Sequence, residues 1–481
     1  MKKTTIYTII AFAIMLLFAV IPPVAPLTDV GMMALGVFIG TVILISLVDT
    51  TWPAILCIPL FALTGVTPMN DLVKGSLGSW VTMFVLMSFI LTYALNETGF
   101  TNRLTMWFMS RKFVNRSPWI FTVSLITLGL LVGLVLDPVP VTAFFMNFSN
   151  KVFQELGYKK EDKYPHIVTM ALAFSINIAG GMTPISHPLA ILGMNIYKKA
   201  TGNELSLLQY ILYAFPTGLI IFICLLIMLR LFAKPDMSKF KDFDINKILT
   251  EVKPMTNRER ITVATFFIVV ILWLLPGVLG MIMPGTIVQK TLQTLGPVFP
   301  AISAVAILAI LRADNAPVLD LKKALKEGFS WGVIFLVAAA VLLGDVITQK
   351  NVGMTEFVQQ NIMPVTNNLS PIMIVLFLVF LTSLLTNFTS NVTTITLMTN
   401  VAMLLTVGAT NGVSPVGIAL STTITGALAY MVPASFASIA VLYGNEYSHG
   451  PTTFKYGFFT VLITTMIVTF VGYPLAMMIA H

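Results

Sequence analysis

Charge is what this sequence has least of. Asp, Glu, Lys and Arg make up 10% of its 481 residues, against 57% hydrophobic ones. A soluble domain of this size carries about a quarter charged residues, so that class is excluded. Cysteine is nearly missing too. Cys57 and Cys224 both fall in apolar segments, which argues for buried thiols and against a disulfide framework or metal site. Enzyme signatures are absent: there is no HExxH, Walker A or GxSxG motif and no pair of carboxylates at catalytic spacing. The expectation is therefore no enzyme, no cofactor and no metal. Strict apolar–polar alternation is lacking as well, which excludes a membrane β-barrel.

What remains is a succession of apolar runs long enough to cross a bilayer. Spans are expected near 6–21, 29–48, 52–64, 79–97, 165–200, 207–231, 261–283, 297–311, 330–349, 414–444 and 453–479. The first, which begins MKKTTIYTII, has the look of a signal peptide and is read as an uncleaved helix. Two further apolar regions, 118–155 and 371–408, each have room for two helices. The fold class is thus an all-α polytopic membrane protein with eleven transmembrane helices and two re-entrant hairpins.

The net charge of +8 would suggest nucleic acid in a soluble protein. Here its placement gives a plainer cause, the excess of Lys and Arg on cytoplasmic loops. With Lys2 and Lys3 inside, the loop bearing Arg103, Arg111, Lys112 and Arg116 also falls inside. So does the loop bearing Lys151, Lys159, Lys160 and Lys163. The segment between these loops must then enter and leave by one face, turning at Asp137–Pro140. The second hairpin turns at TNFTSNVTT, 386–394, from the opposite face. This topology puts the N-terminus in the cytoplasm and the C-terminus outside. The short termini point to a bacterial inner membrane.

The two halves echo each other. GSWVTMFVLM at 78–87 matches FSWGVIFLVA at 329–338, and Met-x-Pro-x-Ser recurs in GGMTPISHP (180–188) and AYMVPASFAS (429–438). Under the charge assignment the repeat is inverted, a pattern frequent in secondary transporters.

Each candidate residue has a structural reading beside a functional one. Asp137 suits a helix N-cap with Pro138 at the first helical position, or an ion site. A helix starting at the midplane offers free N–H groups and a positive dipole end to an anion. Ser390 and Asn391 bring a hydroxyl and an amide to the second tip. Gly180, Gly181, Pro184 and Pro188, and later Gly426 and Pro433, should break their helices and create further inward-facing N-termini. His187 is the one basic side chain at membrane depth. It is either an anion partner or a neutral ring bonded to a carbonyl. Asp345 is an acid at similar depth, with a neighbouring hydroxyl as its simplest partner.

Two hairpins with polar tips, each followed by a helix broken at a Pro-containing loop, resemble the divalent-anion/sodium symporter family of bacterial dicarboxylate transporters. The resemblance covers nearly the whole chain. The tip TSNVTT is similar to the family's Ser-Asn-Thr, with Val392 in place of Thr. The first tip departs from it: Asp137-Pro138-Val139 stands where Ser-Asn-Thr is expected. In the breaks, Ser186, His187 and Phe436 depart from the family's Gly-Thr pattern, and Ile439 replaces Asn.

The resemblance implies an elevator transporter, usually a homodimer in the lipid bilayer, that carries dicarboxylates. It implies scaffold parts at 1–117 and 261–370, transport parts at 118–232 and 371–481, and a cytoplasmic connector at 233–260. It implies substrate contacts at Pro138, Val139, Thr142, Gly181, Thr183, Ser186, His187, Ser390, Asn391, Val392, Thr393, Ser435 and Ser438. The departures fall on segments that bind sodium in the symporters and leave few oxygen ligands for a hard cation. They favour the family's exchanger branch, acting on C4–C5 dicarboxylates such as malate, succinate and 2-oxoglutarate. A sodium- or proton-coupled symporter of the same fold remains the alternative, and an anion channel a more distant one.

Overall fold

The computed structural model describes residues 3–240, 254–313, 315–366, 369–406 and 412–479. The middle of the connector expected at 233–260, residues 241–253, lies outside the described residues, as does Lys2.

Among the described residues the regular structure is helical apart from one two-residue strand pair, Arg312–Ala313 with Ala316–Pro317. The first half runs α1 (Lys3–Val20), α2 (Asp29–Leu47), α3 (Trp52–Leu63), α4 (Met69–Gly75), α5 (Trp80–Glu97), α6 (Phe100–Met109), α7 (Pro118–Gly133) and α8 (Pro138–Glu155). It continues with α9 (Lys163–Met182), α10 (Leu189–Thr201) and α11 (Leu207–Met228). The second half runs α12 (Asn257–Ile282), α13 (Ile287–Leu295), α14 (Val298–Ile310), α15 (Leu321–Glu327), α16 (Trp331–Ile347), α17 (Met354–Asn361) and α18 (Met363–Thr366). It ends with α19 (Pro371–Thr386), α20 (Asn391–Thr406), α21 (Pro415–Ala427), α22 (Ala437–Gly444), α23 (Gly450–Ile467) and α24 (Tyr473–Ile479). Side-chain caps start many of them. Thr28, Ser79, Ser117, Thr256 and Ser414 each accept from a backbone N–H in the first turn, and Ser206 and Gln209 form a full capping box.

Among the described residues, seven helices are long and apolar enough to cross a membrane, and two bent pairs raise the number to nine. Those pairs, α13–α14 and α15–α16, turn by 72° and 73°. The other two expected spans are present but short or interrupted: α3, and the broken pair α21–α22. Helices α7, α19 and α20 have 16 residues each, about 24 Å at ~1.5 Å per residue. That falls short of a hydrocarbon core of roughly 30 Å.

The halves pack reciprocally. Helix α3 lies on α16, and α5 on α14; α2 meets α16, and α12 meets α5. In the same way α8 packs on α22 and α20 on α10, while α9 touches α22 and α21 touches α10. Such exchange of partners is the mark of two-fold symmetry, here between halves of one chain. One structural group gathers α7–α11 with α19–α24, and it meets the other helices through α20 and α10 against α16, through α10 against α5, and through α11 against α12. Across the halves, the Arg103 guanidinium grips the buried Glu259 carboxylate through two bonds of 2.5 and 2.7 Å.

Candidate substrate site

The first tip is the turn between α7 and α8. Asp137 is the N-cap of α8, its Oδ1 accepting the Val139 N–H at 2.9 Å, and Pro138 takes the first helical position. This arrangement corrects one expectation. Free amides were expected at this helix start, but Pro138 and Pro140 have no N–H. Val139 donates to the cap, and Val141 donates to the Asp137 carbonyl at 3.3 Å. The tip therefore has no open donor in its first four residues. Val139 is half-buried, and Thr142 is buried with a hydroxyl that finds no partner.

The first break covers Thr183–Pro188. Thr183 Oγ1 donates to the Leu134 carbonyl at 2.7 Å, tying the break to the first tip. It also receives the Ser186 N–H at 3.4 Å, with the Ser186 hydroxyl 3.3 Å away. Gly180 and Gly181 do not break the helix as expected; α9 runs through both to Met182. Their role is close approach. A Cβ at Gly180 would lie 2.9 Å from Pro138 Cγ, and one at Gly181 would lie 2.8 Å from Leu428 Cδ2. Gly426 likewise stays inside α21, where a Cβ would lie 2.6 Å from Ile395 Cγ1. His187 is 6% exposed, and neither ring nitrogen has a hydrogen-bond partner, so the carbonyl expected for a structural histidine is absent. Its ring lies 4.9 Å from that of Phe436 in the second break.

The second tip, Asn387–Ser390, is stitched to the second break, Leu428–Phe436. Asn387 Oδ1 accepts the N–H groups of Tyr430 and Met431 at 2.7 and 2.8 Å, and its Nδ2 donates to the Ser383 carbonyl at 2.7 Å. Asn391 Nδ2 donates to the Ala427 carbonyl at 3.0 Å. The Thr386 hydroxyl lies within reach of the Gly426 carbonyl at 2.5 Å and of Asn391 Oδ1 at 2.9 Å. From α9, Asn177 Nδ2 donates to the Ala429 carbonyl at 2.8 Å, while its Oδ1 accepts from the Ser438 hydroxyl. Ser435 donates to the Val432 carbonyl. Irregular backbone in an apolar surround has to be satisfied by protein groups, and these side chains do it.

Some of the candidate residues share one neighbourhood. Pro138, Gly180 and His187 meet, Gly181 touches the second break, and His187 reaches Phe436. Thr393 lies apart from them, lining a small gap with Phe38 of α2 and Leu336 of α16. Ser390 is half-buried, and Val392 is buried behind it. Reading the sequence missed Asn177, Thr386 and Asn387. A lone Asn within the apolar run of α9 was the available signal. Open amides remain elsewhere: Leu189 and Ala190 at the start of α10, Ala437 and Ser438 at the start of α22, and Asn391 to Thr393 at the start of α20. Asp345, expected beside a hydroxyl, instead pairs its carboxylate with Lys199 at the end of α10.

Comparison with known proteins gives a consistent answer. The family model described as "Citrate transporter" matches residues 41–425. The chain is 23% identical over 314 residues to the sodium-dependent dicarboxylate transporter SdcS of Staphylococcus saprophyticus. That match covers 65% of this chain and 59% of the relative. An uncharacterised transporter of Haemophilus influenzae is 22% identical over 337 residues, covering 69% of this chain and 67% of the relative. In fold, the crystal structure of the Alcanivorax borkumensis YdaH transporter superposes with a TM-score of 0.57 at 15% identity, covering 99% of this chain and 98% of that one.

Proposed function

This chain belongs to the citrate-transporter family, whose members are multi-pass membrane transporters rather than enzymes, and on that basis we propose that it exchanges C4–C5 dicarboxylates across the membrane without sodium. The observation that carries this reading is the use already made of the oxygens at the second tip and break. The Ala427 and Ala429 carbonyls and Asn387 Oδ1 each have a donor hydrogen directed at them, and the single Thr386 hydroxyl hydrogen serves either the Gly426 carbonyl or Asn391 Oδ1. A hard cation needs a shell of free oxygens, and donor hydrogens in that shell oppose it. The open amides at the starts of α10, α20 and α22 favour a dianion instead, and two carboxylates cannot enter a low-dielectric site uncompensated. His187 adds two unused ring nitrogens beside them.

In this reading α7–α8 and α19–α20 are re-entrant hairpins, a role their short helices suit. Helices α7–α11 and α19–α24 move as one body past a fixed frame of α1–α6 and α12–α18. The N-terminus lies in the cytoplasm of a bacterial cell and the C-terminus outside, and the working unit is a homodimer. A sodium-coupled symporter is the second reading, favoured by the name of the staphylococcal relative. The test is uptake of labelled succinate into proteoliposomes loaded with a panel of anions, choline replacing sodium. Exchange should need an internal C4–C5 dicarboxylate. Equal uptake with internal chloride would reject the reading.

A further inference from the structure

The segment between α5 and α7, residues 98–117, holds Arg103, Arg111, Lys112 and Arg116 and no acid. Glu259 claims Arg103. The other three are exposed, and among the described residues none of them has an ion pair or a side-chain hydrogen bond. The same holds for Arg230, which follows α11. Two of these guanidinium groups lie over indole rings. Arg111 Cζ is 4.2 Å from the ring centre of Trp107, and Arg230 Cζ is 5.7 Å from that of Trp119. The second contact brings the end of α11 to the start of α7, three residues from Arg116. Free bases from two separate segments thus gather where apolar helices begin and end.

Water alone does not account for this strip. Trp107 is 52% exposed, and Phe232, two residues after Arg230, is 72% exposed. Large apolar side chains interleaved with bases suit the boundary between headgroups and hydrocarbon. Orienting a chain in the bilayer takes positive charge alone, without guanidinium groups laid on rings. A guanidinium lying on a ring keeps its edge N–H groups free, and that fork matches a phosphate. Nor does the fold demand the bases. In the other half α17 follows α16 through Gly353 (φ +75°), as α6 follows α5 through Gly99 (φ +81°). The corresponding segment there, 348–370, carries one base, Lys350, and one acid, Glu356.

We propose that the strip formed by Trp107, Arg111, Lys112, Arg116, Trp119 and Arg230 binds the phosphate headgroups of anionic phospholipids in the bilayer. Adjacent unpaired bases attract an anionic membrane surface, whereas the ammonium of a zwitterionic headgroup opposes them. The surface goes beyond the transport reading and stands whichever ion or anion the transporter couples to.

The probe is phosphatidylglycerol brominated on its acyl chains near the headgroup, which quenches tryptophan on contact. It is a minor component of phosphatidylcholine vesicles that hold the full chain. Trp107 is the reporter, the rest of the six tryptophans being changed to Phe. Brominated phosphatidylglycerol should quench it at about one-fifth of the mole fraction that brominated phosphatidylcholine requires, the effect of roughly one base at an anionic surface. High salt should shrink that difference. Arg111→Gln, Lys112→Gln and Arg116→Gln together should make the two lipids quench alike. If the single-tryptophan chain fails to fold, the quenching lost in W107F of the otherwise unchanged chain reports the same quantity by difference. Equal quenching by the two lipids in the chain that keeps its bases, or a preference that survives the triple substitution, overturns the proposal.

Discussion

At the scale of single residues, the first tip shows how far chemistry could be read in advance. Asp137 as a cap followed from the Asp-Pro pair, because Pro prefers the first helical position and a carboxylate suits the position before it. The loss of donors that two prolines impose at the same place was equally readable, yet the general rule for helix starts concealed it. Asp137→Asn keeps the acceptor for the Val139 N–H, so exchange should stay within about twofold of wild type. Asp137→Ala removes the cap and should cost about 1 kcal/mol in thermal unfolding. Loss of transport in the Asn variant would instead mark an ion site. His187 is legible only as an oddity: its position is plain, but its unpartnered nitrogens depend on which loop lies opposite. His187→Gln should raise the KM for dicarboxylate with a smaller effect on kcat. Unchanged KM, rate and pH profile would remove His187 from the site.

At the scale of elements, helix positions and interruptions were largely evident, since apolar run length and proline act locally. Glycine was misread because its reason here is distant. Gly180, Gly181 and Gly426 sit inside helices, and what demands them is a side chain far away in the sequence. Gly193 makes the same point in α10, where a Cβ would fall 1.8 Å from Thr423 Oγ1 of α21. Gly193→Ala should therefore lower stability by about 1–3 kcal/mol through overpacking, measured by thermal unfolding in detergent. A neutral result would mean that α10 and α21 are not packed this closely. The bonds that Asn177 and Asn387 send to the second break escaped notice for a related reason: a hydrogen bond from a side chain to a remote break leaves no local pattern.

At the scale of the molecule, the repeat in sequence anticipated the reciprocal packing of α3 with α16 and α5 with α14. Contacts between the two proposed bodies were not legible. The Lys199–Asp345 pair joins α10 to α16 and must break if α10 travels past α16. A double-mutant cycle with Lys199→Ala and Asp345→Ala should give non-additive changes in exchange rate, and additivity would make the two bodies uncoupled there. The central claim, exchange without sodium, is tested most directly in vesicles containing no dicarboxylate and exposed to an inward sodium gradient. The account predicts no accumulation of labelled succinate until a C4–C5 dicarboxylate is placed inside. Concentrative uptake driven by the sodium gradient alone would contradict it.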